Sequence, residues 1–197
     1  MADVHDEVAH AGNALEQYEL EPRLSRFTIR AFAGGLLSAF AHNPTFVVRQ
    51  FVGHVVFDPS NPSKSSVSVS LQAASLDLID SVSESDRREI ERILRENVLE
   101  IERFPAITFE SRHIEVKEGK HGGYHATATG SMSLHGVTRE CVIDADAFLM
   151  GTQLRVNGTW PLKQTDFGIA LVSVAAQAIK VKDELQCSFD LVARRQG

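Results

Sequence analysis

The chain has 197 residues, 43% of them hydrophobic and 23% charged, an ordinary globular balance that can bury a core without disulfide or metal staples. Its net charge of -6 argues against nonspecific attachment to nucleic acid or to an anionic membrane surface. No run of about 18 apolar residues occurs, so no integral membrane segment is predicted. The acidic start, Met1 to Glu7, lacks the features of a signal peptide, and a cytoplasmic protein is the expectation.

Val4, Val8, Ala11 and Leu15 recur at helical spacing and predict a short N-terminal helix ending near Tyr18. Residues 1–17 read as a helical extension and 18–197 as one domain. From Ser25 the period changes to two, with Phe27, Ile29 and Ala31 alternating against Arg26, Thr28 and Arg30. Gly34-Gly35 breaks this strand, and Leu36 to Pro44 is a connection. Phe46 to Asp58 reads as one long strand with Phe51, Gly53, Val55 and Phe57 on one face. Asp58-Pro-Ser-Asn-Pro-Ser-Lys64 is a turn cluster. Ser66 to Gln72 sets Val67, Val69 and Leu71 against serines, the signature of an antiparallel strand with one wet and one dry face.

One helix is predicted inside the strand series, over about 83–99. Ser83 is its N-cap, with Asp86 three residues on, and Ile90, Ile93, Leu94 and Val98 form one apolar stripe. Pro105 bars its continuation. The stripe must be buried, either as a fixed core element or as a movable lid. Strand patterns then return at Ile107–Ser111, Tyr124–His135, Thr138–Met150, Gln153–Leu162 and Glu184–Ala193, with Ile169–Val174 a loop or short strand. Asp77 and Asp80 flank a strand end and read as solvated carboxylates.

About eight alternating strands joined mostly by short turns predict a mainly β protein, either a closed antiparallel barrel or an open sandwich. The inward set mixes bulky residues (Phe51, Phe57, Phe109, Met132, Leu134, Trp160, Phe189) with small ones (Gly53, Ala126, Ala128, Gly130, Ala145, Ala147, Gly158). The small residues either pack beneath the aromatics or leave an apolar slot. Periodicity does not choose between these.

Several segments, taken in order, carry a family pattern: Gly35 to His42, Phe51 to Pro59, Phe104-Pro-Ala-Ile-Thr-Phe-Glu-Ser111, Leu134-His-Gly-Val-Thr138 and Gln164-Thr-Asp-Phe-Gly-Ile169. Together they resemble the YceI-like family of polyisoprenoid-binding proteins, from about Tyr18 to Val192. The resemblance implies an eight-stranded, lipocalin-like antiparallel barrel with one inserted helix and a long apolar cavity. It implies binding, sequestration or transport of an isoprenoid-type lipid, such as a polyprenyl or quinone tail, rather than catalysis. Many members of the family are periplasmic.

The inward face and the family motifs together nominate Phe51, Val55, Phe57, Leu71, Phe109, Met132, Leu134, Trp160 and Phe167 as ligand contacts. His42 and His135 are the head-group candidates, and the competing reading for each is a histidine hydrogen-bonded to a nearby backbone carbonyl. No cofactor beyond a bound isoprenoid lipid and no metal is expected. His121 and His125 are four apart, but Gly122-Gly123 between them predicts a turn rather than a helical ligand pair. Cys141 and Cys187 fall on apolar phases and read as reduced, inert thiols, with one disulfide as the alternative. Asp166-Phe-Gly-Ile lacks every companion motif of a kinase; Phe167 there is expected to plug apolar space and Gly168 to turn. Two other functions stay open: a histidine-dependent hydrolase acting through His135, and a filled barrel serving as an interaction or stress-response module. No nucleic-acid partner is expected, and a homodimer is only the base-rate oligomer.

Overall fold

The computed structural model describes residues 15–34, 43–119, 122–174 and 179–197. In chain order the elements are β1 (Glu16–Leu20), β2 (Arg26–Arg30), β3 (Ala33–Gly34), β4 (Thr45–Val48), β5 (Phe51–Phe57), β6 (Ser66–Gln72), β7 (Leu76–Leu78) and α1 (Glu84–Ile93). They continue as β8 (Ala106–Glu118), β9 (Tyr124–Leu134), β10 (Val137–Met150), β11 (Gln153–Lys163), β12 (Ser173–Val174), β13 (Ile179–Val181) and β14 (Glu184–Arg195).

The fold is a closed, eight-stranded antiparallel barrel, because three of its staves are each made of two short strands. β1 continues into β2, β4 into β5, and β6 into β7. Pairing runs β1–β5–β6–β8–β9–β10–β11–β14, and β14 returns to β1 through Tyr18 opposite Arg195. Further along, β14 pairs with β2, setting Phe189 opposite Phe27. Closure pairs both edges of the staves except along β7, which pairs with β4 alone. The small strands β3, β12 and β13 form a separate sheet.

The three breaks lie side by side and are stitched together. The Arg49 N–H donates to the Ser75 carbonyl at 3.0 Å, and the Gln72 N–H donates to the Gln50 carbonyl at 3.0 Å. The Ser25 hydroxyl accepts from the Val192 N–H at 2.9 Å, so the ladder is satisfied where the first stave bends. This bend replaces the single long strand expected over Phe46–Asp58, which is interrupted at Arg49 and Gln50.

The N-terminal expectation is also corrected. Residues 1–14 lie outside the described set, but the helix cannot run to Tyr18, because Glu16–Leu20 is a strand. Tyr18 is 1% exposed and points inward, and its hydroxyl donates to Glu16. Pairing with both β5 and β14 overrides the weak helical periodicity, since without this strand the barrel would stay open.

Among the described residues there is one helix. It begins as expected: Ser83 accepts from the Asp86 N–H at 3.1 Å. After Ile93 it widens into a π-type turn over Leu94–Val98. Its stripe of Ile90, Leu94 and Val98 packs on the core beside Leu78, Leu99 and Ile101. The helix thus sits at the end of the barrel where β7, β11 and β4 meet the connecting segments. The opposite end carries the β8–β9 and β10–β11 connections.

Candidate ligand-binding cavity

A cavity of about 620 Å³ occupies the barrel, within the range of about 300–1,000 Å³ usual for small-molecule sites. The interior is therefore not filled by its own side chains. Its wall runs from Phe57, Val116, Tyr124 and Leu149 at the hairpin end to Ile90, Ile93 and Leu94 of α1 at the other. The helix stripe thus forms part of the ceiling.

The small inward residues divide by role. Ala126, Ala128, Ala145 and Ala147 lie on the cavity wall, where each missing side chain leaves space. Ala126 stands directly opposite Ala145 across β9 and β10. Gly158 does something else: a Cβ there would come 2.6 Å from the Asp144 carbonyl oxygen and 2.7 Å from the Phe189 ring. Its small size permits close packing and adds nothing to the cavity.

Seven of the nominated contacts meet on the wall: Val55, Phe57, Leu71, Phe109, Met132, Leu134 and Trp160. Two do not. Phe51 is buried edge-on against Phe27, with ring centroids 4.9 Å apart and planes at 83°, so Phe27 takes the wall position in its place. Phe167 is buried in the short turn Gln164–Phe167, where it fills apolar space outside the cavity, and Gly168 turns the chain with φ 69°.

The head-group candidates fare differently. His42 lies outside the described residues. His135 does not reach the cavity wall. It sits with Gly136 in the β9–β10 turn, both at positive φ, the geometry of a two-residue hairpin that matches strand twist. Its Nε2 is 3.0 Å from Glu100 Oε1, its Nδ1 is 3.3 Å from the Phe167 carbonyl oxygen, and Phe104 packs on the ring at 4.7 Å. Its polar atoms are engaged in holding the chain together. Arg103 first, then His135, holds the Glu100 carboxyl below the usual carboxylate range.

Neither cysteine is an activated thiol. Burial pushes the Cys187 thiol up to about 12, and Cys141 is also raised by burial; both cysteines are free. His125 lies on the outer surface 3.1 Å from Asp146, and His121 is outside the described residues. Among the described residues no three histidine, cysteine or carboxylate side chains gather as a metal site.

Sequence reasoning missed the polar part of the wall. Asp80 and Asp86 line it at the helix end, as does Gln164. The signal for Gln164 was present: counting in twos from Trp160 through Leu162 places it inward, beyond the end of β11. Asp80 is not simply solvated, since its Oδ2 accepts from the Thr45 N–H at 2.6 Å. The aromatic and aliphatic residues Tyr18, Leu20, Phe27 and Ile29 from the first stave also line the space.

A closed antiparallel barrel around an apolar cavity, with a helix at one end, defines a lipocalin-like barrel fold. The chain belongs to the YceI-like domain family, whose model matches residues 18–193. It is 30% identical over 139 residues to a UPF0312 protein of Pseudomonas aeruginosa, covering 66% of each chain. It is 32% identical over 128 residues to one of Azotobacter vinelandii, covering 61% of each. The match thus spans just under two-thirds of these relatives' length.

Among solved structures, BcnA of Burkholderia cenocepacia superposes with a TM-score of 0.67 at 19% identity, over 88% of this chain and 98% of that one. A polyisoprenoid-binding domain from Saccharophagus degradans superposes with a TM-score of 0.65 at 11% identity, over 91% and 98%. At these identities the likeness establishes the fold.

Proposed function

We propose that this protein holds an apolar isoprenoid-type lipid, such as a polyprenyl or quinone tail, inside the barrel and performs no reaction on it. The observation that carries this reading is the cavity itself: about 620 Å³, walled by Leu, Val, Ile, Phe and Ala side chains along the barrel's length. Each methylene moved from water into such a space contributes roughly 0.8 kcal/mol, offset by the freedom lost on binding. The family and the isoprenoid-binding domain with the same fold support this ligand class.

The hydrolase reading finds less support. His135 is bonded to Glu100 and the Phe167 carbonyl and has no face on the cavity. The filled-barrel module is disfavoured by the empty interior.

The test is solvent extraction of the purified protein followed by mass spectrometry, with titration by a prenyl quinone. Recovered or acquired prenyl lipid at about one per chain is expected. A protein that arrives empty and takes up neither a prenyl quinone nor a prenol would overturn the reading.

A further inference from the structure

The polar end of the cavity is chemically one-sided. Gln164 is 4% exposed and lines the wall. Its amide nitrogen is fixed by two carbonyls, donating to Lys182 at 2.9 Å and more weakly to Asp183 at 3.5 Å. That network sets which way the amide faces. The amide oxygen meets no donor among the described residues, and Gln164 lines the cavity. It is an unused acceptor in an apolar room.

Lys163 precedes Gln164 and the Lys182 carbonyl holds its amide, but neither lysine lies on the wall. Asp80 and Asp86 line the same end, and among the described residues no lysine, arginine or histidine lies on the wall. Arg87 packs close by, but its guanidinium donates to the carbonyls of Leu78 and Asp80. Asp86 is exposed at the mouth and Asp80 half-buried, so an anionic head group there would meet carboxylates and no cation on the wall, which is unfavourable. A head group that donates a hydrogen bond would satisfy Gln164.

Building on the lipid-binding reading, we propose that Gln164 selects ligands whose polar end is an uncharged hydrogen-bond donor, a hydroxyl or N–H, and that Asp80 and Asp86 exclude phosphate and carboxylate ends. A prenol or a quinol fits this site; a prenyl phosphate or the oxidised quinone does not satisfy it.

Three ligands sharing one tail test this on the full chain: farnesol, farnesyl methyl ether and farnesyl phosphate, titrated against the emission of Trp160, the chain's single tryptophan, which lines the cavity. Farnesol is expected to bind about three- to tenfold more tightly than the ether, the range of one neutral hydrogen bond. Farnesyl phosphate is expected to be weakest, by at least about tenfold relative to farnesol. Gln164→Leu should bring the farnesol and ether affinities together without weakening the ether. Asp80→Asn with Asp86→Asn should improve farnesyl phosphate several-fold. Should Gln164→Leu fail to fold, the wild-type ligand ratios still decide. Equal binding of farnesol and ether, or tighter binding of the phosphate, would overturn the proposal while leaving lipid binding intact. Binding of none of the three would overturn both.

Discussion

Glu100 and His135 are the non-glycine residues with positive φ among the described residues, at 43° and 52°, and they bond to each other at 3.0 Å. The contact joins the chain just beyond the helix to the β9–β10 turn. Two backbones in a disfavoured conformation are thus tied together by a side-chain bond, with Arg103 on Glu100 and the Phe167 carbonyl on His135 as further partners.

This pairing predicts an order of stability. Glu100→Ala loses the bond and keeps the strained backbone, so a lower urea midpoint is expected. Glu100→Gly also loses the bond but removes the strain, so it should be the milder change. Urea unfolding of the two variants checks the order; a glycine variant less stable than the alanine one would refute it.

The alanine pair on the wall predicts a separation of stability from binding. Ala126→Leu with Ala145→Leu places two larger side chains opposite each other inside the cavity. The variant should hold or raise its melting temperature, because it fills vacant apolar space, while prenyl lipid uptake falls by at least about tenfold. Calorimetry and ligand titration read the two effects independently.

Trp160 offers a direct optical report. Its ring lines the cavity and lies 5.7 Å from the Phe189 ring. Entry of an apolar chain should exclude water from the indole and shift its emission to shorter wavelength. A saturating titration with a prenyl lipid and no change in the spectrum would contradict contact at this wall.

Cys187 predicts a loss of stability in alkali. Its buried thiol is pushed up to about 12, while the unfolded thiol ionises near its ordinary value of about 9. The contribution is fully present below the unfolded value and is lost as pH rises towards the folded one. At about 1.36 kcal/mol per unit it amounts to roughly 4 kcal/mol across that window. Cys187→Ala should flatten the decline in the urea midpoint above about pH 9, and a thiol reagent should modify Cys187 only after unfolding.

Period-two alternation made the strands legible, because it is local: the runs at Ser66–Gln72, Tyr124–Leu134 and Gln153–Lys163 each declare an inward face without reference to the rest of the chain. The helix was legible for the same reason, through Ser83 and its apolar stripe. The first stave was not, since Glu16–Leu20 is a strand only because β5 and β14 flank it.

The sequence by itself determined a chain of alternating strands, one capped helix and an inward face mixing large and small residues, all consequences of neighbours within one or two turns. Only the tertiary structure decided that Ala126 and Ala145 leave space while Gly158 merely admits Phe189, because that depends on which staves face each other. It also decided which polar atoms stay free. The carbonyls of Lys182 and Asp183 hold the Gln164 nitrogen and leave its oxygen without a donor among the described residues, and His135 is withdrawn from the cavity by Glu100 and Phe167. Such partners are brought together by closure of the barrel, and no local pattern records them.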